Sequence, residues 1–263
     1  MEHRDLNIDR PNVFFKYHKF DNNLLELIRT GNFWFSAQED LNDPYDCKYS
    51  LSEEYLLKLL SNSSSRLLKD LQDRVPQFKE ISSDRFLAIM LPTLRTEEGM
   101  NGIYNMLFKD GLGWCVSCFT TDPTNEIMWA HYADSNKGVC LEFDLSNTPD
   151  LHEKIFPVEY NDTFPIINSM YDLPEALLRK RTAWKYENEW RILTNVRGGK
   201  PFNKASLTAI YFGCNVTNNK IDEIRNLMMV SNYNKVNFKQ FSFYINKVKF
   251  TPLQDFPFPK NIK

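Results

Sequence analysis

The chain has 263 residues, a formal net charge of -2, 42% hydrophobic and 14% aromatic side chains. A chain of this size can bury a large core, and its charge balance gives no global attraction to nucleic acid, so such binding would need a local basic groove. No apolar run approaches the ~18 residues of a membrane span, and residues 1–12 carry no signal-peptide pattern. We therefore expect a cytoplasmic protein without a membrane partner. Its five cysteines suit reduced thiols.

The chain opens with a strand, helix and strand pattern. Residues 13–19 predict a strand, and Asp21 then caps an amphipathic helix that Gly31 ends. A second strand follows over residues 33–35. The turn-rich segment 36–46 comes next and is polar at a place where a site could form.

The pattern becomes helical over residues 50–110. Ser50 and Glu53 form a capping-box pattern. Leucines recur at helical spacing from there through Leu71, and again over residues 86–107. We interpret this stretch as a helical insertion within a single domain of residues 1–263. Packing is the ordinary role of such helices, and a lid or a partner surface is the functional alternative.

Strand patterns return after the insertion. Thr124 is predicted to cap a helix over residues 127–132. Further strands are predicted over residues 114–120, 138–144, 155–160, 189–194, 207–212 and 238–244, with helices over 173–185 and 217–229. The fold class predicted is α+β, with strands that surround a site.

The segment 184–193 carries two carboxylates two residues apart between aromatic side chains. In an extended conformation Glu187, Glu189 and Arg191 share one face, while the apolar residues between them point to the other. The alternative is a solvated strand face with an ordinary ion pair. Basic residues that precede the glutamates, among them Lys180 and Lys185, are either a solvated helix face or a path for nucleic acid.

Several motifs resemble one known family. Asn42-Asp43-Pro44, Met128-Trp-Ala-His-Tyr-Ala133 with the following Lys137-Gly-Val-Cys-Leu-Glu-Phe143, and Trp184-Lys-Tyr-Glu-Asn-Glu-Trp-Arg191 resemble the domain of unknown function 2971. Ile210-Tyr-Phe-Gly213 extends the resemblance, which spans nearly the whole chain apart from the helical stretch. The family name implies no activity.

The order of elements also resembles the ADP-ribosyltransferase fold, which implies a split β-sheet core and three NAD-binding motifs on separate strands. Tyr17-His18 lies where the first motif is expected, although no Gly-Thr or Gly-Ser follows. Tyr132 matches the aromatic residue of the second motif. Glu189, preceded by Glu187, matches the glutamate of the third.

This second resemblance implies an enzyme that uses NAD as co-substrate. Glu189 would stabilise positive charge that develops on the ribose, Tyr132 would hold the nicotinamide, and Glu187 would accept or position a proton. Binding roles would fall to seven further residues: Tyr17, His18, Asn42, Asp43, Trp129, His131 and Arg191. Ordinary structural roles stay open for several of them, because Asn-Asp-Pro is a common turn and a histidine beside aromatics is often a packing residue.

The function predicted is ADP-ribosyl transfer to a nucleic acid or protein. A toxin or antiviral-defence effector with an antitoxin or defence partner is one interpretation of such an enzyme. NAD glycohydrolysis is a close alternative, and a non-catalytic binding module is an alternative of a different class. A magnesium nuclease would gather Asp43, Asp46, Glu187 and Glu189 around the ion. No compact ligand motif supports this magnesium site. Cys115 and Cys118 have the spacing of a zinc pair, but no second cysteine pair and no histidine cluster completes it, so no metal is assigned. Only nine glycines occur, which disfavours a phosphate-binding loop.

Overall fold

The computed structural model describes residues 8–74, 79–92, 114–244 and 247–253, together with residues 96, 98, 99 and 102. Its contacts divide the chain into two compact units. The first unit is formed by residues 1–46, 114–162 and 178–263, and the second by residues 47–113 and 163–177.

The strands and helices are as follows. The strands are β1 (Val13–His18), β2 (Asn32–Ala37), β3 (Ser50–Leu51), β4 (Cys115–Thr120), β5 (Val139–Asp144), β6 (Ile155–Pro157), β7 (Glu159–Tyr160), β8 (Ile166–Ile167), β9 (Arg179–Lys180), β10 (Glu189–Thr194), β11 (Gly198–Pro201), β12 (Leu207–Phe212), β13 (Asn237–Tyr244) and β14 (Lys247–Pro252). The α-helices are α1 (Asn22–Thr30), α2 (Glu53–Arg74), α3 (Ser83–Met90), α4 (Glu126–Tyr132), α5 (Pro149–His152), α6 (Leu173–Leu177) and α7 (Asn218–Val230), and short 3-10 helices include Thr182–Glu187.

The first unit contains a mostly antiparallel sheet of ten strands. Five of them run in the order β1-β5-β12-β13-β14, and β12 and β13 are the parallel pair in this series. The other five are β11, β2, β4, β10 and β6, with β4 paired to β10 over its full length. The two groups are joined where β1 meets β4, through the register position Phe15↔Thr120. The sheet therefore divides into two groups of strands at this junction.

Side chains alternate along these strands and form two cores. One face packs against α1 and α7 and contains buried residues such as Phe14, Ile28 and Ile224. The opposite face packs against α4, where Trp129 lies among Phe15 and other buried residues. Burial of such large aromatic and aliphatic side chains is the main stabilising contribution that the two cores make. The mixed α and β content agrees with the predicted α+β class.

Two glycines allow chain segments to approach one another in the first unit. A Cβ atom on Gly138 would lie 2.2 Å from the carbonyl oxygen of His18, and one on Gly213 would lie 2.1 Å from that of Asn136. The Gly213 N–H donates to the carbonyl of Gly138 at 2.9 Å. These glycines therefore serve chain packing, since any larger residue would force the backbones apart.

The second unit contains α2, α3 and the parallel strand pair β3 and β8. Leu56 and Leu68 of α2 pack against Phe86 of α3. The unit draws on residues 163–177 as well as on the stretch 47–113, an association that the sequence did not indicate.

Most of the predicted elements of the first unit are present. Asp21 accepts hydrogen bonds from the N–H groups of Asn23 and Leu24, and Gly31 ends α1 with φ of 69°. Among the described helices, none is both long and apolar enough to cross a membrane.

Three local predictions are wrong. The helix expected over residues 173–185 ends at Leu177, because the next residues pair with β7 as strand β9. The cap of α4 is Asn125 instead of Thr124, since the Asn125 side chain reaches the free N–H groups. Ser50 lies in β3, and the hydroxyl of Ser52 instead accepts from Tyr55 N–H at the start of α2. Much of the predicted helical stretch 86–107 lies outside the described residues.

Candidate functional site

A cavity of about 270 Å³ lies in the first unit where β1 and β4 diverge. Beyond the shared position, Lys16 and Tyr17 of β1 and Cys118 and Phe119 of β4 line the cavity. Lys16 lies in this opening, where its ammonium donates to the carbonyl oxygen of Cys118 at 2.8 Å. The Lys16 side chain therefore supplies a hydrogen bond to this backbone carbonyl of β4.

Lys180 holds three carboxylates together at the wall of the cavity. Its ammonium donates to Glu187 Oε2 at 2.5 Å and to Glu189 Oε2 at 3.1 Å, and lies 3.6 Å from Asp46 Oδ2. All four side chains are at most 5% exposed. A buried ammonium with such neighbours is strongly favoured in its charged form, because the carboxylates replace lost water.

Arg191 is fully buried and joins the same cluster from β10. It donates to both carboxylate oxygens of Glu189, at 2.7 and 3.0 Å, and to both of Asp46, at 2.9 and 2.7 Å. Such paired contacts fix the orientation of a carboxylate as well as its charge. Glu189 is consequently held in one orientation at the wall of the cavity.

The two glutamates differ in proton affinity. Burial raises the pKa of the Glu187 carboxyl, and Glu189 raises it further against the effect of Lys180. Burial also opposes ionisation of Glu189, but Arg191 and Lys180 outweigh it and hold the pKa of Glu189 well below its usual range. Burial alone would lower the pKa of Lys180, yet the surrounding carboxylates hold it above its usual range. The environment thus separates an ionised carboxylate from one that retains a proton more readily.

Local structure brings the two glutamates together. Glu187 is the last residue of the 3-10 helix Thr182–Glu187, and Asn188 has φ of 44° in the left-handed region. This turn starts β10 at Glu189 while the Glu187 side chain stays directed at Lys180. Glu187 therefore lies outside the strand, and only Glu189 and Arg191 share the strand face that an extended conformation would have given to all three. Tyr160 accepts from the N–H of Glu189 at 2.8 Å, and burial raises the pKa of this phenol to about 12.

Tyr132 and Asn42 complete the cavity on the side of Glu187. The Tyr132 hydroxyl donates to Glu187 Oε1 at 2.5 Å and accepts from Asn42 Nδ2 at 3.0 Å. Burial, followed by the charge of Glu187, raises the pKa of the Tyr132 phenol above its usual range. The phenol therefore remains a donor to the carboxylate at neutral pH.

Other predicted site residues lie elsewhere. Trp129 is fully buried, stacks on Phe241 with ring centroids 4.6 Å apart, and does not line the cavity. His131 is exposed, and its Nδ1 lies 3.2 Å from the Tyr186 hydroxyl. Asp43 stabilises a turn, since its Oδ1 accepts from Tyr45 N–H at 2.9 Å.

His18 lies at the end of β1 and also does not line the cavity. Its Nε2 is buried without a hydrogen-bond partner among the described residues. Burial lowers the pKa of His18 to about 3, and the charge of Lys16 adds to this effect. Tyr17, its neighbour, does line the cavity and donates its hydroxyl proton to the Asp122 carbonyl at 3.2 Å.

The sequence did not indicate the central role of Lys180, and Asp46 was predicted only as a ligand in the magnesium alternative. Asp46 lies 145 positions before Arg191, and such a separation leaves no local spacing to detect. The second aspartate of Asn42-Asp43-Pro44-Tyr45-Asp46 was the available signal. The structure places an ammonium among the acidic residues that this alternative would use, and no group of three or more His, Cys, Asp or Glu in the described part of the chain is arranged to hold a metal.

Comparison with known proteins gives one finding of similarity. No curated protein and no solved structure matches the chain significantly. A family model described as protein of unknown function (DUF2971) matches residues 128–192. This stretch contains Tyr132, Lys180 and both cavity glutamates, but not Asn42 or Asp46. Over residues 128–192 the chain is similar to the DUF2971 family, which confirms the resemblance of the motifs within that stretch, whereas Asn42-Asp43-Pro44 and Ile210-Tyr-Phe-Gly213 lie outside the match.

Proposed function

We propose that this protein is an ADP-ribosyltransferase-like enzyme that uses NAD as a substrate. The observation that carries the proposal is the glutamate pair at the cavity wall, in which Arg191 and Lys180 keep Glu189 ionised while burial raises the pKa of Glu187. Two carboxylates with separated proton affinities suit the cleavage of a glycosidic bond. One can stabilise positive charge while the other exchanges a proton.

The divided sheet supports this proposal. A split sheet is what resemblance to the ADP-ribosyltransferase fold implies, and here two groups of strands meet at Phe15↔Thr120. The cavity lies at this division and is lined by residues from β1, β4, α4 and β10. Residues from separate strands and a helix therefore converge on one volume, as a binding site for an extended substrate requires.

The lining of the cavity fits the nicotinamide end of NAD. Its volume of about 270 Å³ is close to the lower end of the roughly 300–1,000 Å³ range for small-molecule sites, so it suits one end of a dinucleotide. The side chains of Phe15, Tyr17, Phe119 and Tyr132 supply aromatic walls. These aromatic faces favour a cationic ring such as that of nicotinamide in NAD.

In this proposal the residues have distinct roles. Glu189 stabilises the positive charge that develops on the ribose as nicotinamide departs, because it is ionised and fixed by Arg191. Glu187 takes a proton from the acceptor group, and the Tyr132 hydroxyl orients the carboxylate. Lys180 is a positioning residue that holds both glutamates.

The test uses NAD labelled on its adenylate and separate pools of cellular RNA, DNA and protein. We expect wild type to label one pool and Glu189→Gln to lose at least about 100-fold in rate. Glu142→Gln is the matched control, because Glu142 also accepts from a tyrosine but does not line the cavity. Nicotinamide release without a labelled pool would make the protein an NAD glycohydrolase. Equal transfer by wild type and Glu189→Gln would contradict the proposal.

A binding module without catalysis is the second candidate. It is favoured by the ion pairing of Glu189, whose two carboxylate oxygens accept from Arg191 and Lys180 and so stabilise the fold. In that case neither nicotinamide release nor transfer would occur, and NAD would not be consumed in any pool. A calorimetric titration with NAD would separate binding without turnover from no interaction.

A further inference from the structure

Four aromatic side chains form a continuous strip from the surface to the cavity. We call Trp184, Tyr186, His131 and Tyr132 the aromatic strip. Their ring centroids are spaced by 6.1 Å from Trp184 to Tyr186, and by 6.2 Å for each of the next two steps. Tyr132 lines the cavity and contacts Glu187, so the strip ends at the proposed reaction site.

The strip differs from the core aromatic residues of the same unit. Trp129 is fully buried, and Trp190 packs against Phe14 with centroids 5.4 Å apart. Trp184 and Tyr186 are instead half-buried on a 3-10 helix, and His131 is exposed. Partly exposed rings that continue into a cavity are available to stack on a ligand.

Basic side chains are interleaved with these rings. Arg181 and Lys185 are exposed on either side of Trp184 in the sequence. The Arg181 guanidinium lies 5.2 Å from the ring centroid of Tyr45, a residue that is 53% exposed. Positive charges beside exposed rings complement a partner that carries both phosphates and aromatic bases.

We propose that the aromatic strip binds single-stranded nucleic acid and delivers it to the cavity. Stacking requires bases whose faces are accessible, which a single strand offers and a duplex does not. Arg181 and Lys185 would contact the phosphates, while Trp184 and Tyr186 would stack on bases. The inference names the acceptor class and, in that part only, rests on the proposed function.

The test measures binding by fluorescence anisotropy, with the full chain and without NAD. The probes are labelled single strands of about 12 nucleotides, one of RNA and one of DNA, and a duplex of the same sequence. We expect at least one single strand to bind more tightly than the duplex. Trp184→Leu and Tyr186→Leu should each weaken its binding by about tenfold, because each removes a stacking surface.

Charge and control variants sharpen this test. Lys185→Glu should weaken binding and lower the salt-dependence slope by roughly one. Trp34→Leu and Lys154→Glu are matched controls, because Trp34 is exposed on β2 and Lys154 is exposed outside the strip. Both should bind as wild type does. Tyr186→Phe should also bind normally, since it keeps the ring and removes only the hydroxyl contact to His131.

The results separate this inference from the proposed function. If neither single strand binds, or if Trp184→Leu, Tyr186→Leu and Lys185→Glu all bind as wild type does, the inference is wrong even where NAD is cleaved. If the leucine variants do not fold, the binding of Lys185→Glu and the preference of wild type for a single strand over the duplex decide whether the inference holds. If the strip variants lose binding but no nicotinamide is released by wild type, the inference holds and the transferase proposal fails.

Discussion

Two carboxylate and tyrosine pairs in the first unit show what distinguishes a candidate site from a structural contact. Glu142 of β5 accepts from the hydroxyls of Tyr211 and Thr208, both on the adjacent strand β12, and it is half-exposed. Glu187 accepts from Tyr132 and Lys180, and it is buried. The local contacts are similar in kind. The surroundings differ, because Glu187 lies beside a second glutamate, a buried ammonium and the cavity, and Glu142, among the described residues, does not.

The difference shows that a hydrogen-bonded carboxylate alone indicates little about function. Lys239 donates to Tyr211 at 3.1 Å in the first pair and so contacts a neutral phenol. Lys180 contacts carboxylates directly in the second, where all the side chains involved are at most 5% exposed. Electrostatic interactions are stronger away from water, so the second pair can shift proton affinities that the chemistry would use.

The largest expected effect is a loss of folding stability when Lys180 is replaced, compared with replacement of Lys239. Lys180→Met should lower the free energy of unfolding by about 3–5 kcal/mol, because it leaves buried carboxylates without their ammonium. Lys239→Met should cost about 1 kcal/mol or less, because its partner is neutral and Lys239 is only half-buried. Urea denaturation at neutral pH measures both. Equal losses for the two variants would show that a buried lysine among carboxylates stabilises the fold no more than a half-buried lysine beside a phenol.

Removing the two phenol hydroxyls should give a smaller difference. Tyr132→Phe removes the hydroxyl that donates to Glu187 Oε1 and should cost about 1–3 kcal/mol of unfolding free energy. Tyr211→Phe should cost about 1 kcal/mol or less, because water can reach the half-exposed Glu142. Thermal and urea unfolding of the two variants provide the comparison. A larger loss for Tyr211→Phe would show that exposure does not set the cost.

Over a single pH unit, the smallest effect expected is a pH trend specific to Glu187. Its folded pKa is raised, so the folded state binds more protons than the unfolded state once the pH exceeds about 4.3. This contribution to stability is therefore lost as pH rises from there through the folded pKa. The stability of wild type relative to Glu187→Gln should fall over that window, by at most about 1.4 kcal/mol per pH unit. Urea denaturation from pH 4.5 to 7.5 tests this, and a constant or rising difference would contradict it.

Much of the first unit could be predicted because its signals are local. Asp21 and Gly31 mark the ends of α1 through capping geometry, and the strand over Glu189–Thr194 follows from alternation. The failure over residues 173–185 has a different origin. Lys180 belongs to a short strand paired with β7, and its burial depends on carboxylates supplied by other segments. Helical propensity contains no information on such tertiary partners.

Part of the candidate site could be predicted because some of its residues lie in local sequence motifs. Glu187, Glu189 and Tyr132 occur in recognisable motifs and meet at the cavity. Trp129 shares a motif with Tyr132, but the helix directs it into the core instead. Position on a helix decides which neighbours a side chain meets, so proximity in sequence could not separate the two roles.

The most direct measurement is the rate of nicotinamide release from NAD by wild type, Glu187→Gln and Glu142→Gln in the presence of cellular acceptor pools. We expect comparable rates for wild type and Glu142→Gln, and a rate at least about 100-fold lower for Glu187→Gln. Correct folding of each variant is verified by its urea unfolding curve. No release by wild type, or equal rates for all three proteins, would contradict the assignment of the buried glutamate pair as a catalytic centre.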